Sequence, residues 1–174
     1  MLLIGITGKA HAGKDTVADM IARESTSRQI AFASPIKEAF KAIFGFHPDD
    51  FSEGKEAQVP GFDFTIREAL QTLGTEWGRN LQHDIWLQIA LNKYHGSLVF
   101  PYKYVLITDV RFDNEADLIR ANNGIVVEVR RTAAETVAAH SSENGLTDKA
   151  DFTLCNDGTL EQLEEKVKEM LSYV

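Results

Sequence analysis

The stretch "ITGKAHAGKDTVADMIA", residues Ile6 to Ala22, decides how the rest of the chain is read. Gly8, Gly13 and Lys14 stand at the G-x-x-x-x-G-K spacing of a phosphate-binding loop. Glycines let successive backbone N–H groups turn inward around an anion, and a lysine there reaches the β- and γ-phosphates. The N-terminus of the helix that follows favours negative charge. The hydroxyl that normally serves Mg²⁺ after the lysine is missing: Asp15 stands there, and Thr16 comes one place late. Asp15 can hold the metal through water, Asp15 can fix the lysine by an ion pair, or Thr16 can turn toward the metal. The loop offers Gly8, Lys9, Ala12, Gly13, Lys14, Asp15 and Thr16 as nucleotide-binding candidates, with Asp15 and Thr16 as metal candidates.

Working outward, Leu2–Thr7 is apolar, β-branched and stopped by Gly8, which predicts a buried strand, and Lys14–Glu24 predicts a helix. Arg28–Ala33 predicts a second strand. Ser34 as N-cap, Pro35 at the first helical position and Gly45 as stop predict a helix between them. Residues 46–64 read as irregular. Ile66, Ala69, Leu70, Leu73, Trp77 and Leu81 recur at helical spacing, and a further helix runs roughly over 84–95. "KYVLITDVR" (Lys103–Arg111) is a strong strand ending in Asp109; "NEADLIRANNG" is a helix stopped by Gly124; "IVVEVRR" and "DFTLCN" are strands. The last helix carries a capping box of Thr159 and Gln162. Helices alternating with continuous apolar strands predict a parallel sheet covered on both faces. Ligands in such sheets bind at the carboxyl ends of the strands. The loops after Thr7, Ala33, Thr108, Val129 and Cys155 therefore carry the functional expectations.

Composition narrows the classes. The chain has 174 residues, 44% hydrophobic, which suits one compact domain with a sizeable core. A net charge of −8 argues against stable nucleic-acid binding, which wants a basic face. Cys155 is the single cysteine, so no internal disulfide forms and a cytoplasmic location is expected. The opening "MLLIGI" lacks a basic n-region and reads as a strand, and no apolar run is long enough to span a bilayer, so no membrane association is expected. Zinc and triad-hydrolase chemistry find no support in the motifs.

Polar clusters sit where the predicted sheet would present them. Asp109 ends a buried strand as a Walker-B-like carboxylate does, or caps the next helix. Arg111 can grip a phosphate bidentately, or pair at the surface with Glu115. Gln71, Thr75 and Arg79 lie four apart on one helical side, beside Gly74 and Gly78. Each mid-helix glycine costs about 1 kcal/mol against alanine, so either a ligand or another backbone comes close, or the stripe is a solvated face on a frayed or broken helix. Arg130 and Arg131 follow a strand end, and the segment after them reads as a lid with His140, Glu143 and Asn144 on one side. "CNDG", with Asn156 and Gly158, would hold an adenine or form a plain turn.

Together "GKAHAGKDT", "FASPIKEAF", "REALQTLGTEWGR", "DVRFDNEA" and "HSSE" resemble the phage-type deoxynucleoside monophosphate kinases, over most of the chain and in that family's order. An aspartate after the P-loop lysine is a feature of the family. The resemblance implies a three-layer α/β fold of the P-loop nucleoside monophosphate kinase-like type. It implies a five-stranded parallel sheet in the order 2-3-1-4-5, with helices on both faces. One domain over 1–174 would hold an acceptor-binding helical region at about 34–95 and a lid at about 130–148. The implied reaction is ATP- and Mg²⁺-dependent phosphorylation of a deoxynucleoside monophosphate, its small-molecule partner. Lys14, Asp109, Arg111 and Arg131 are the expected catalytic residues. Arg130, Asn156 and Gly158 join the loop residues on ATP. Lys37, Gln71, Trp77, Arg79, Arg111, Glu115, His140 and Glu143 would bind the acceptor, with Phe32 and Phe40 as further candidates to wall its base. A homodimer is the assembly considered. "GKD" is shared with phosphomevalonate kinases, and "CNDGTLEQL" is similar to dephospho-coenzyme A kinases, so another phosphorylated acceptor is the first rival. A nucleotide-binding regulator without turnover is the second.

Overall fold

The computed structural model describes residues 1–51, 54–132, 146 and 150–174. In chain order the elements are β1 (Leu2–Thr7), α1 (Lys14–Glu24), β2 (Ser27–Ile30), α2 (Ser34–Phe44), α3 (Ile66–Gln71), α4 (Ile85–Ser97), β3 (Tyr104–Val110), α5 (Asp113–Ala121), β4 (Ile125–Arg130), β5 (Phe152–Cys155) and α6 (Leu160–Ser172). They fall into two compact units, Met1–Ala31 with Asn92–Val174, and Phe32–Leu91.

The first unit is built on the strands. Their order is β2-β3-β1-β4-β5, and every neighbouring pair is parallel, as expected. The alternation along β1 explains the layers. Ile4 and Ile6 are fully buried in one cluster with Val17 and Ile21 of α1 and Leu163 and Val167 of α6. On the opposite face a Cβ at Gly5 would overlap Ile119 Cδ1 of α5. The glycine thus lets α5 lie close, and the sheet is covered on both faces. Burying each such aliphatic side chain contributes about 1.5–3 kcal/mol. The parallel register puts the carboxyl ends of β1, β3, β4 and β5 along one edge. Among the described residues no helix is long and apolar enough to cross a membrane.

Several boundaries move. The second strand is Ser27–Ile30 rather than 28–33. Ser34 is not the N-cap of α2: Ala33 is, without a side-chain cap bond, and Ser34 is already helical. Proline at the head of α2 loses nothing, because the first N–H groups of a helix have no intrahelical partner. The stop after α5 is carried by Asn123, at φ 56°, with the Gly124 N–H donating to Ile119 O at 2.9 Å. Asparagine tolerates the left-handed region well enough to take the place expected of the glycine.

The second unit has an aromatic centre. Phe40 is fully buried, 4.6 Å from the Phe44 ring centroid and edge-on to Phe46 at 5.8 Å. Ala57, Val59 and Ile66 close over it, and Phe51 and Phe64 pack alongside. The irregular stretch of the sequence thus supplies core side chains without forming long elements. The Thr65 hydroxyl accepts from Glu68 N at 3.2 Å and the Glu68 carboxylate accepts from Thr65 N at 2.7 Å, a capping box that starts α3. The long regular helix expected over 66–81 is not continuous. It is α-helical only to Gln71 and then π-helical over Thr72–Arg79.

Phe40→Ala is expected to destabilise the protein by about 3–5 kcal/mol through lost burial and the cavity it leaves. Urea titration followed by circular dichroism measures it, and a loss under about 1 kcal/mol would show that the phenylalanine cluster is not the centre of this unit.

Candidate functional site

The loop between β1 and α1 folds as the sequence requires. Gly8 and Gly13 take φ of 142° and 101°, conformations that favour glycine. A Cβ on Gly8 would overlap the Val129 carbonyl oxygen of β4, so the loop leaves the sheet in backbone-to-backbone contact with its neighbour. Lys14 opens α1, and its ammonium donates to Gly8 O at 2.8 Å and Lys9 O at 2.9 Å. A cation is therefore held over the rim of a glycine loop, at the end of a helix whose first N–H groups point toward the loop. That arrangement fits a polyphosphate. Asp15 is exposed and Thr16 half-buried, both in the first turn of α1. Among the described residues no group of three or more His, Cys, Asp or Glu side chains forms a metal cage.

Asp109 stands at an irregularity in the sheet. Gly5 pairs with Ile107 and Thr7 with Val110, so two steps of β1 face three of β3. The extra residue falls beside Thr108 and Asp109, next to the strand that feeds the glycine loop. Bulges of this kind re-aim side chains next to active sites. Asp109 does not cap α5; Phe112 occupies the N-cap position.

Glu115 is 5% exposed, and its carboxylate accepts from the backbone N–H of Arg111 at 2.7 Å and of Phe112 at 3.2 Å. A buried carboxylate needs such donors. Glu115, expected on the substrate, thus braces the backbone that carries Arg111, whose side chain is exposed. Arg130 pairs with Glu128 at 2.9 Å, and Arg131 is exposed beyond it.

The turn after β5 does more than the sequence suggested. Asn156 N donates to Arg130 O at 2.7 Å, and its side-chain amide donates to Ala12 O at 2.8 Å. A Cβ on Gly13 would overlap that same amide nitrogen. Asn156 therefore buttresses the glycine loop directly. Gly158 leaves room for the Gln162 carboxamide of the α6 capping box, which a Cβ there would overlap. Asp157, which sequence reasoning missed, accepts from Thr132 N at 2.7 Å and Thr132 Oγ1 at 3.0 Å. Its only sequence signal was an acidic residue beside the asparagine in "CNDG".

In the second unit the polar stripe is partly present. Gln71 and Thr75 are exposed and Arg79 is half-buried; Trp77 is 54% exposed, whereas Phe32 and Phe40 are buried. Lys37 is held by Asp49 at 2.7 Å, and that hydrogen bond keeps the Asp49 carboxyl below its usual range. The close neighbour expected at Gly74 and Gly78 is a side chain. A Cβ on Gly78 would overlap the Trp86 ring, and one on Gly74 would lie 3.0 Å from Ile36 Cδ1. His140 and Glu143 lie outside the described residues, as does most of the predicted lid.

The Thr132 bonds hold the Asp157 carboxyl below its ordinary range. A depressed folded value means that the clasp is complete above the ordinary carboxylate range and is lost as pH falls through the lower value. Asp157→Asn should therefore leave the shape of the activity–pH profile unchanged from about pH 6 to 9. A new inflection in that window would contradict the assignment. Asn156→Ala should raise the KM for ATP by roughly three- to tenfold, through the lost support of Ala12 O.

Comparison with known proteins agrees with this geometry. A family model described as deoxynucleotide monophosphate kinase matches residues 2–63 and 49–167. The chain is similar to the deoxynucleotide monophosphate kinase of Enterobacteria phage T4, with 24% identity over 241 residues that cover 100% of both chains. It is 31% identical to that of Escherichia phage RB69 over 110 residues, 62% of this chain and 45% of that protein. The crystal structure of TT1252 from Thermus thermophilus superposes with a TM-score of 0.57 at 18% identity, over 99% of this chain and 97% of that one, and speaks for the fold alone. With its glycine loop, its sheet order and a family match across most of its length, the chain belongs to the deoxynucleotide monophosphate kinase family.

Proposed function

We propose that this chain transfers the γ-phosphoryl group of ATP to a deoxynucleoside monophosphate, giving ADP and the deoxynucleoside diphosphate. The observation that carries the reading is the glycine loop closed by Lys14 at the head of α1, in a chain of this family. Gly8, Lys9, Ala12 and Gly13 would present backbone N–H groups to the donor phosphates, and the Lys14 ammonium would leave its loop carbonyls for phosphate oxygens. Thr16 or, through water, Asp15 would hold Mg²⁺, and Asp109, near the carboxyl end of β3, would serve the same centre. When bound, the metal neutralises charge on the phosphate oxygens in transfer.

An oxygen of the acceptor monophosphate attacks the γ-phosphorus in line, and the bond to the bridging oxygen of ADP breaks. No protein nucleophile is needed, because positioning and electrostatics carry such reactions. Arg111 and Arg79 serve the acceptor phosphate; Arg130 and Arg131 oppose the charge in transfer. Gln71 and Trp77 serve the acceptor nucleoside, and His140 and Glu143 complete its binding within a lid over about 130–148. Lys37 can join them only by giving up Asp49. The Asn156 turn supports the loop and an adenine beside it. The net charge of −8 suits a small-nucleotide partner rather than a nucleic acid, and a single cysteine suits a reducing cytoplasm.

A coupled assay for ADP release with ATP and Mg²⁺ tests this on dAMP, dGMP, dCMP and dTMP, with AMP and phosphomevalonate as controls. Turnover is expected with at least one deoxynucleotide and with neither control; silence with all four deoxynucleotides would sink the reading. Lys14→Ala should cost at least about 100-fold in kcat/KM while the chain remains folded, as expected when a main phosphate contact is lost. Near wild-type turnover in that variant would remove the loop from the mechanism.

A further inference from the structure

We propose that Trp86 is a positioning residue: it sets the π-helical register of Thr72–Arg79 and thereby aims Arg79. The inference rests on the assignment of Arg79 to the acceptor phosphate.

The segment has two fixed ends and a choice between them. Its head is anchored, because Ile66 is fully buried and the Thr65–Glu68 capping box fixes the first turn of α3. Beyond Gln71 the backbone changes to the wider i→i+5 pattern, which ends at Arg79. After it an α-type turn returns, with Gln82 N donating to Gly78 O at 3.2 Å. A π turn takes more residues than an α turn. The direction in which Arg79 leaves the axis, relative to the anchored head, therefore depends on how many π turns precede it.

Side chains from neighbouring elements act on this run. Ile36 of α2 packs against Gly74, and Trp86, the second residue of α4, makes two contacts that bear on the register. Its indole Nε1 donates to Gly74 O at 2.7 Å in a buried setting. In an α register that carbonyl would accept from the Gly78 N–H. The indole ring also lies flush on Gly78, where a Cβ would overlap Cζ2 and sit 2.8 Å from Cε2. Glycine is a poor helix former, and here it admits the ring that the register leans on. Trp86 is 7% exposed, so its N–H depends on the Gly74 carbonyl. Extended π-helix is rare and recurs at functional sites. A run that ends on a cation assigned to substrate gives it a use here.

The test is a kinetic double-mutant cycle with ATP and the deoxynucleoside monophosphate that is turned over best. Trp86→Phe keeps most of the ring and deletes the donor; Gly78→Ala keeps the donor and displaces the ring. Each should raise the KM for the monophosphate on the order of three- to tenfold, with the KM for ATP unchanged, as for one lost buried hydrogen bond. Arg79→Ala should also raise it. On the Arg79→Ala background neither change should add a further effect, because the group it positions is gone. Additive effects would overturn the inference, and so would an equal rise in both KM values, which marks general loosening. An unchanged KM in Trp86→Phe would overturn it as well. If Arg79→Ala alone leaves the monophosphate KM unchanged, the assignment of Arg79 itself fails and the inference falls with it.

Discussion

The first unit depends on a backbone contact: the glycine loop leaves β1 directly against the Val129 carbonyl of β4, with no room for a side chain at Gly8. A loop that must turn its N–H groups inward cannot also satisfy itself through regular structure. It is therefore held from outside. β4 lies against its first glycine, the Asn156 amide after β5 takes the Ala12 carbonyl and lies on Gly13, and Lys14 spans the Gly8 and Lys9 carbonyls. These supports come from chain positions more than a hundred residues apart. The parallel sheet brings them together because it gathers the carboxyl ends of its strands along one edge.

The same economy appears along that edge. Glu115 spends its carboxylate on the Arg111 and Phe112 backbone, and Asp157 spends its own on Thr132. Each fixes the backbone beside an arginine, so the long, flexible cation starts from a defined origin. Less ordering is then left to the moment of binding. Acidic residues make up much of this protein's excess negative charge. These two show that part of that charge works as backbone acceptor rather than as a repulsive surface.

The elements that were legible in the sequence are those whose cause is local. Continuous apolar runs marked the strands, Gly45 and the Thr159–Gln162 pair marked helix ends, and the glycine spacing marked the loop between β1 and α1. What the sequence could not show has distant causes. The bulge beside Asp109 is a property of the β1–β3 pairing, not of either strand alone. The π turn from Thr72 depends on an indole that arrives from α4, so helical spacing from Ile66 to Leu81 was right in kind and wrong in pitch. Gly74 and Gly78 were read as places where a ligand or another backbone comes close, but the neighbours are side chains, Ile36 at Gly74 and the Trp86 ring at Gly78. Ser34 and Pro35 signalled a helix start to within one residue, because local caps compete with the chain's path out of β2.

Asp15 remains the departure that the fold has to accommodate, and it does so at little cost. The residue sits in the first turn of α1, exposed, where the helix dipole favours a carboxylate by about 0.3–1 kcal/mol. Structure therefore places no pressure on this position to be a hydroxyl. The cost falls on chemistry instead. A carboxylate beside the donor phosphates adds a negative charge where several already gather, and only a cation between them turns that repulsion into attraction. A loop with aspartate after its lysine is thereby more dependent on its metal than one with serine or threonine. The neighbouring Thr16 still supplies the neutral hydroxyl that the usual pattern places one residue earlier.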